Sequence, residues 1–186
     1  MELKITKAKI TSEEKLLVDF EEFYPEGQDK DETAKKFGGK VHQDLLTAME
    51  DLRIHFASKC EEGNYTDFMD NMDKLDIFKV TGISLSGDSE HEGVVITGQK
   101  RLSSNEVLIL NTPYIKLNPE HANYPHIDEL DFAIKNVLSE VTKHVLDGKR
   151  APSNQLGLFS EEETESKKKR KSRKLNVDKA EMSNAS

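Results

Sequence analysis

The residues with the chemistry of metal ligands are histidines and carboxylates in the middle of the chain. His121 and His126 lie five residues apart, with Glu120 beside them and His91 further upstream. These residue types bind zinc, but zinc sites have tighter ligand spacings than this. The segment is also predicted to be irregular, and we therefore predict no metal site.

Two other histidines, His42 and His55, lie on one predicted helix. They are thirteen residues apart, which is too far for them to share a local site. We expect both to be structural or surface residues, although His55 borders the apolar stripe of that helix. His144, on the last predicted helix, is expected at the surface.

Carboxylates recur at every third residue in Asp67, Asp70, Asp73 and Asp76. A nuclease needs carboxylates that converge on metal ions from several elements. One local run does not provide that, and we predict a solvated helix face.

Nucleophilic chemistry has little support in the sequence. The single Cys60 has no flanking base, and the chain contains neither a nucleophile elbow nor a phosphate-binding glycine loop with lysine. We therefore predict no catalytic residues and no cofactor. The sequence favours a protein without enzymatic activity, although an active site assembled from distant residues would be invisible at this level.

Strands are predicted where apolar and polar residues alternate. Leu16, Val18 and Phe20, for example, alternate with more polar neighbours. The predicted strands cover residues 3–11, 15–24, 75–86, 93–102 and 106–112.

Two long helices are predicted from apolar residues at three- and four-residue steps. The first covers residues 40–59, and a shorter helical piece is expected around residues 68–72. The second covers residues 127–147, and Gly148 follows its C-terminal end.

The connections and the element order define the fold class. Residues 25–39 are predicted to be a loop with at most a short helical turn, and residues 113–126, with three prolines, an irregular crossing. The order is then β-β-α-β-β-β-α, which is typical of an α+β domain. We predict a mainly antiparallel sheet with helices on one face, formed by residues 1–149.

Charge is unevenly distributed along the 186 residues. Residues 151–186 hold 8 Lys+Arg and 6 Asp+Glu, or +2, so the first 150 hold 19 and 29, or −10, and the total is −8. An acidic body is a poor non-specific ligand for nucleic acid. Without a membrane-length apolar run, a signal-peptide core or paired cysteines, the sequence predicts a soluble cytoplasmic protein.

The C-terminal segment has a different character from the body. Its charges come in blocks with almost no apolar residues, so residues 150–186 are predicted to be a disordered tail. One apolar cluster interrupts it, Gln155-Leu156-Gly157-Leu158-Phe159. These apolar residues need burial outside the tail, unless residues 155–159 form a short final strand or pack back on the domain.

Short peptides of this kind need few anchors. Leu158 and Phe159 would each contribute about 1.5–3 kcal/mol if fully buried, Leu156 adds area, and the Gln155 amide can fix the register. Ordering the peptide costs several kcal/mol in return, which leaves an affinity of roughly micromolar.

The spacing Gln-Leu-x-Leu-Phe resembles the peptide with which bacterial DNA polymerases, mismatch-repair proteins and other replication factors bind the sliding clamp. The resemblance covers five of 186 residues. It implies a bacterial sliding clamp as the partner, contacted by Gln155, Leu156, Leu158 and Phe159. The eukaryotic clamp-binding box differs, because it has aromatic residues where Glu161-Glu162 stand here.

A strongly basic run follows, with seven positive charges in eight residues: Lys167, Lys168, Lys169, Arg170, Lys171, Arg173 and Lys174. Each charge can neutralise one phosphate, which predicts salt-dependent contact with a nucleic-acid backbone. No aromatic residue is present to stack on bases. The alternatives are a solubilising segment, partly neutralised by acidic residues 161–165, or a nuclear-localisation signal in a eukaryote.

Together these features predict a non-catalytic accessory factor of bacterial or phage DNA replication, recombination or repair. The tail peptide would tether it to the clamp, and the basic run would contact DNA. Small size, an acidic body and a charged tail are also similar to bacteriophage early proteins. The alternatives are a clamp-recruited nuclease or other DNA-modifying enzyme, a phage inhibitor of the host clamp, and an interaction module with an accidental motif.

Overall fold

Seven strands form one sheet in the computed structural model, which describes residues 2–23, 30–88 and 91–152. The strands are β1 Glu2–Ile10, β2 Leu16–Phe23, β3 Lys30–Lys36, β4 Phe78–Ser86, β5 Gly93–Arg101, β6 Val107–Asn111 and β7 Ile115–Lys116. Their order is β3-β2-β1-β4-β5-β6, with β7 also pairing with β5, and all these pairs are antiparallel. The predicted α+β class with a mainly antiparallel sheet is confirmed.

Helices cover one face of this sheet. They are α1 Gln43–Asp51, α2 Arg53–Lys59, α3 Tyr65–Asp70 and α4 Ile127–Leu146, with a 3₁₀ turn at Met72–Leu75. Helices α1 and α2 contact β4, and α4 packs against α1. In the described part of the chain, no helix is long and apolar enough to cross a membrane.

The core lies between these helices and the sheet face that they cover. Leu16, Val18 and Phe20 of β2 are buried, in agreement with the alternation in the sequence. Leu45 of α1 and Leu130 of α4 are buried in the same core. The strand residues between the buried ones lie on the opposite face of the sheet, so that face is the more polar one.

The predicted loop 25–39 is wrong over Lys30–Lys36, which form β3. This strand is at the edge of the sheet, and its side chains are mostly exposed on both faces. It therefore shows no alternation of apolar and polar residues, which is the signal that predicts half-buried strands. The irregular crossing 113–126 likewise contains the short strand β7.

The predicted helix 40–59 is two helices rather than one. Leu52 separates α1 from α2, and its backbone is close to helical with φ −77° and ψ −10°. The apolar stripe continues through this break, so the sequence pattern does not reveal it. The last predicted helix is confirmed, and Gly148 follows it with φ +69°.

Candidate functional site

The residues predicted to bind a clamp or nucleic acid all lie outside the described part of the chain. These are Gln155, Leu156, Leu158 and Phe159, and the basic residues Lys167, Lys168, Lys169, Arg170, Lys171, Arg173 and Lys174. Their roles stay predictions. The described residues offer one further candidate site.

A cleft of about 760 Å³ opens where β1 and β4 separate. These two strands pair at only three positions, Lys7 with Ser84, Ala8 with Ile83 and Lys9 with Gly82. Beyond the last pair, residues 10–12 at the end of β1 and residues 78–81 of β4 line the cleft. The cleft is thus a consequence of a short strand pairing.

Gly82 makes the short pairing possible. A Cβ atom at this position would lie 2.6 Å from the backbone oxygen of Ala8 and 3.1 Å from Cα of Lys9. The ladder between β4 and β5 is also irregular between Val80 and Gly82. Strands β1 and β4 therefore approach each other closely at a residue that has no side chain.

Helix α1 and the start of β4 supply much of the apolar cleft lining, to which Ile10, Leu17 and Ile109 also contribute. Leu46 and Met49 come from α1, and Phe78 and Val80 come from β4. Met49, Phe78 and Val80 are nearly fully buried, so these groups belong to the core and are already ordered. An apolar group that entered the cleft would contact rigid surface.

Charged side chains of both signs line the rest of the cleft. Arg53 Nη1 lies 3.6 Å from Asp76 Oδ1, and Lys40 lies 2.7 Å from Glu14. The hydrogen bond and charge of Lys40 lower the pKa of the Glu14 carboxyl, with a smaller contribution from Lys79. The charges are therefore partly compensated within the protein, and the cleft carries no strong potential of one sign.

Polar side chains other than the charged ones also line the cleft. Its hydroxyl groups come from Thr11, Ser12, Thr81 and Thr97, and no histidine lies in its lining. A hydroxyl nucleophile requires an adjacent base. Among residues 2–23, 30–88 and 91–152, no group of three His, Cys, Asp or Glu residues is placed to hold a metal ion.

A second cluster is buried at His55 and Tyr124, partly exposed at Tyr65 and His126, and joins α2 to the segment before α4. His55 Nδ1 and the Tyr124 hydroxyl share a hydrogen bond of 2.9 Å, and His55 is only 3% exposed. Burial lowers the pKa of His55 to about 4 and raises the pKa of Tyr124. Tyr65 of α3 stacks on His126 at 3.7 Å between ring centroids. The sequence did not predict this cluster, and its only hint was that His55 borders the apolar stripe.

The cluster is more consistent with a structural role than with catalysis. None of its four residues lines the cleft between β1 and β4. Its rings connect α2, α3 and the chain just before α4, which are distant in sequence. His121 and Glu120, for which the sequence predicted no metal site, are exposed and do not join it.

The prediction that His144 lies at the surface is wrong, because this side chain is 1% exposed. Phe37 packs edge-on against its ring at 5.6 Å. Neither ring nitrogen has a hydrogen-bond partner among the described residues. Burial, with a smaller contribution from the charge of Arg150, lowers the pKa of His144 to about 4, and a weaker effect of the Lys149 backbone opposes this shift.

The remaining candidate residues have local roles or none. His42 caps α1 by accepting a hydrogen bond from the Asp44 backbone N–H at 3.2 Å, and His91 hydrogen-bonds Asp88 at 3.1 Å. Burial raises the pKa of the Cys60 thiol, which reduces its nucleophilicity. The four aspartates at 67, 70, 73 and 76 are all exposed, as expected for a solvated surface.

The chain matches no protein-family model, no curated protein and no solved structure. Its function therefore has to follow from its own residues.

Proposed function

We propose that this protein is a non-catalytic accessory factor of bacterial or phage DNA replication, recombination or repair. Residues Gln155–Phe159 would tether it to the sliding clamp, and Lys167–Lys174 would contact the DNA that the clamp encircles. The observation that carries the proposal is the sequence Gln-Leu-x-Leu-Phe, three residues after Pro152.

The end of the described domain suits a tether, because its last residues are held firmly. Arg150 pairs with Val41 in a β-bridge, and its Nε donates to the Gly38 carbonyl at 3.2 Å. The Ala151 N–H donates to the Lys40 carbonyl at 3.0 Å. A partner bound to the peptide would thus be connected to the domain by a short chain segment that leaves a defined point.

The described domain supports a binding role better than an enzymatic one. Its cleft has mixed charge and a rigid apolar lining, which suits a segment of another protein. The net charge of −10 over the first 150 residues, from 19 Lys+Arg and 29 Asp+Glu, disfavours a nucleic-acid ligand there. DNA contact is therefore assigned to the basic run.

The test is binding of the full chain to an immobilised bacterial sliding clamp. We expect saturable binding with a dissociation constant of roughly 1–10 µM, lost in Leu158→Ala/Phe159→Ala. A matched control, Glu161→Ala/Glu162→Ala, alters two neighbouring residues of the same tail and should bind like the parent. Equal binding by the parent and the leucine-phenylalanine variant would contradict the proposal.

Polymerase processivity on primed DNA then separates a tethered factor from an inhibitor. A tethered factor leaves processivity unchanged when the clamp is half-occupied. If the parent chain lowers processivity and the Leu158→Ala/Phe159→Ala variant does not, the protein is instead a clamp inhibitor.

A further inference from the structure

The two free edges of the sheet differ sharply in chemistry. Five of the seven residues of β3 are charged, which protects this edge against pairing with other chains. Strand β6, Val-Leu-Ile-Leu-Asn, has no charged residue and no proline. Its Val107 and Ile109 are 55% and 67% exposed. Of these two edge strands, only β3 is therefore protected against pairing with another chain.

The backbone of β6 directs hydrogen-bonding groups to its outer side, away from β5. At the two ends of the β5–β6 pairing, the Leu102 N–H donates to the Glu106 carbonyl and the Thr112 N–H to the Ile96 carbonyl. In an antiparallel ladder, every second residue forms a hydrogen-bonded pair of this kind. The N–H and C=O groups of residues 108 and 110 therefore also point toward β5. Val107, Ile109 and Asn111 then direct their N–H and C=O groups away from the sheet. No strand in the described part of the chain pairs with them.

We propose that β6 pairs with β6 of a second copy of this chain, antiparallel and with Ile109 opposite Ile109. This register places Val107 opposite Asn111 of the other copy, so all three outward-facing residues form hydrogen-bonded pairs. Two bonds for each of three pairs give about six backbone hydrogen bonds. The two sheets join into one continuous sheet, and Ile109 is buried at its centre.

Charge selects a second β6 over the other edge of the same protein. In the β6–β6 arrangement, Glu106 lies opposite the uncharged Thr112 of the other copy, while Lys100 and Arg101 belong to β5 and pair with β6 of their own chain. Pairing of β6 with β3 would instead place the charges of β3 beside Val107 and Ile109, where they lose hydration. A strand from an unrelated protein would lack the two-fold symmetric pairing of residues that is centred on Ile109.

The pairing is self-limiting. A contact between identical strands uses the same surface on both copies and closes after two chains. The charged β3 edges, at the far ends of the joined sheet, oppose further addition. The expected product is a dimer and not a filament.

Sedimentation of the full chain over about 1–500 µM tests the proposal. We expect a monomer–dimer equilibrium within this range, in keeping with a small interface. Ile109→Lys should weaken dimerisation at least tenfold, because it places two like charges opposite each other. Ala34→Lys adds the same charge to the opposite edge strand and should dimerise like the parent.

A mixed pair tests the register and guards against misfolding. Ile109→Lys and Ile109→Glu should each be monomeric alone and should form a heterodimer when mixed, because opposite charges then face each other. A parent chain that stays monomeric to about 500 µM, an Ile109→Lys variant that dimerises like the parent, or a mixture that does not associate would each overturn the proposal.

Discussion

At the scale of single residues, His144 is the least compensated polar group in the described part of the chain. It is almost fully buried in the core, and neither of its ring nitrogens has a partner there. A buried polar group without a hydrogen bond costs about 1–3 kcal/mol. Burial lowers the pKa of His144 to about 4, so the ring stays neutral in the folded protein above that pH.

This burial predicts a loss of stability in mild acid. Between pH 6.5 and about 4 the unfolded chain binds a proton at His144 and the folded chain does not. The free energy of unfolding therefore falls as the pH falls through this window, by at most about 3 kcal/mol for this residue. His55 contributes in the same direction.

His144→Leu should remove about half of that pH dependence and leave the protein as stable as the parent, or more stable, at pH 8. Urea unfolding at pH 5 and pH 8 measures both effects. His121→Gln, at an exposed histidine, is the control and should behave like the parent. A His144→Leu variant with the full pH dependence of the parent would contradict the burial of this ring.

The pair His55 and Tyr124 gives a second prediction at this scale. Tyr124→Phe removes the hydroxyl that pairs with His55 and leaves a buried nitrogen without its partner. We expect a loss of about 1–3 kcal/mol in the free energy of unfolding. Tyr65→Phe removes a hydroxyl from the neighbouring ring while keeping its stacking on His126, so it serves as the matched control. Equal losses in both variants would show that the hydrogen bond contributes little.

The sequence contained a signal for His144 that its residue type obscured. Val137 and Val141 lie on the apolar stripe of α4, and His144 follows them by seven and three residues. Spacing alone thus places it in the core. Histidine occurs both inside and outside proteins, so its type does not decide the matter. The His55–Tyr124 contact joins residues 69 apart in sequence, which no local pattern reveals.

At the scale of elements, the short pairing of β1 with β4 joins the two parts of the sheet and determines where the cleft opens. Gly82→Ala would place a Cβ atom 2.6 Å from the Ala8 backbone oxygen, and both residues belong to the paired strands β1 and β4. We expect the variant to lose about 1–3 kcal/mol of stability, as overpacked sites do. Thermal unfolding measures this loss.

Gly38→Ala is the control for that substitution. A Cβ atom at Gly38 would meet nothing within 4 Å, so this variant should unfold like the parent. If Gly82→Ala also unfolds like the parent, the two strands are further apart than described.

The sequence predicts the elements that bury one side, and it misses β3, which does not. Strands β1, β2, β4 and β5 and helix α4 alternate or repeat because the core buries one of their faces. Strand β3 buries almost nothing and has no such signal. The cleft was also beyond prediction, because it depends on the number of residue pairs between β1 and β4.

At the scale of the whole molecule, the proposed dimerisation and the proposed tethering would reinforce each other. A dimer joined through β6 carries two copies of Gln155–Phe159. A ring-shaped clamp offers several copies of its pocket, so two weak peptides on one dimer bind with a higher effective concentration than one. The dimer would also carry two basic runs toward the DNA. Both proposals stand on separate residues, so either can fail without the other.

The most direct test of the central proposal is fluorescence polarisation of a labelled peptide, residues 150–166, titrated with a purified bacterial sliding clamp. We predict saturable binding at roughly micromolar concentrations, lost in the Leu158→Ala/Phe159→Ala peptide. This result would identify Gln155–Phe159 as a clamp-binding peptide. Absence of binding at about 100 µM clamp, or equal binding of the two peptides, would contradict the proposed function.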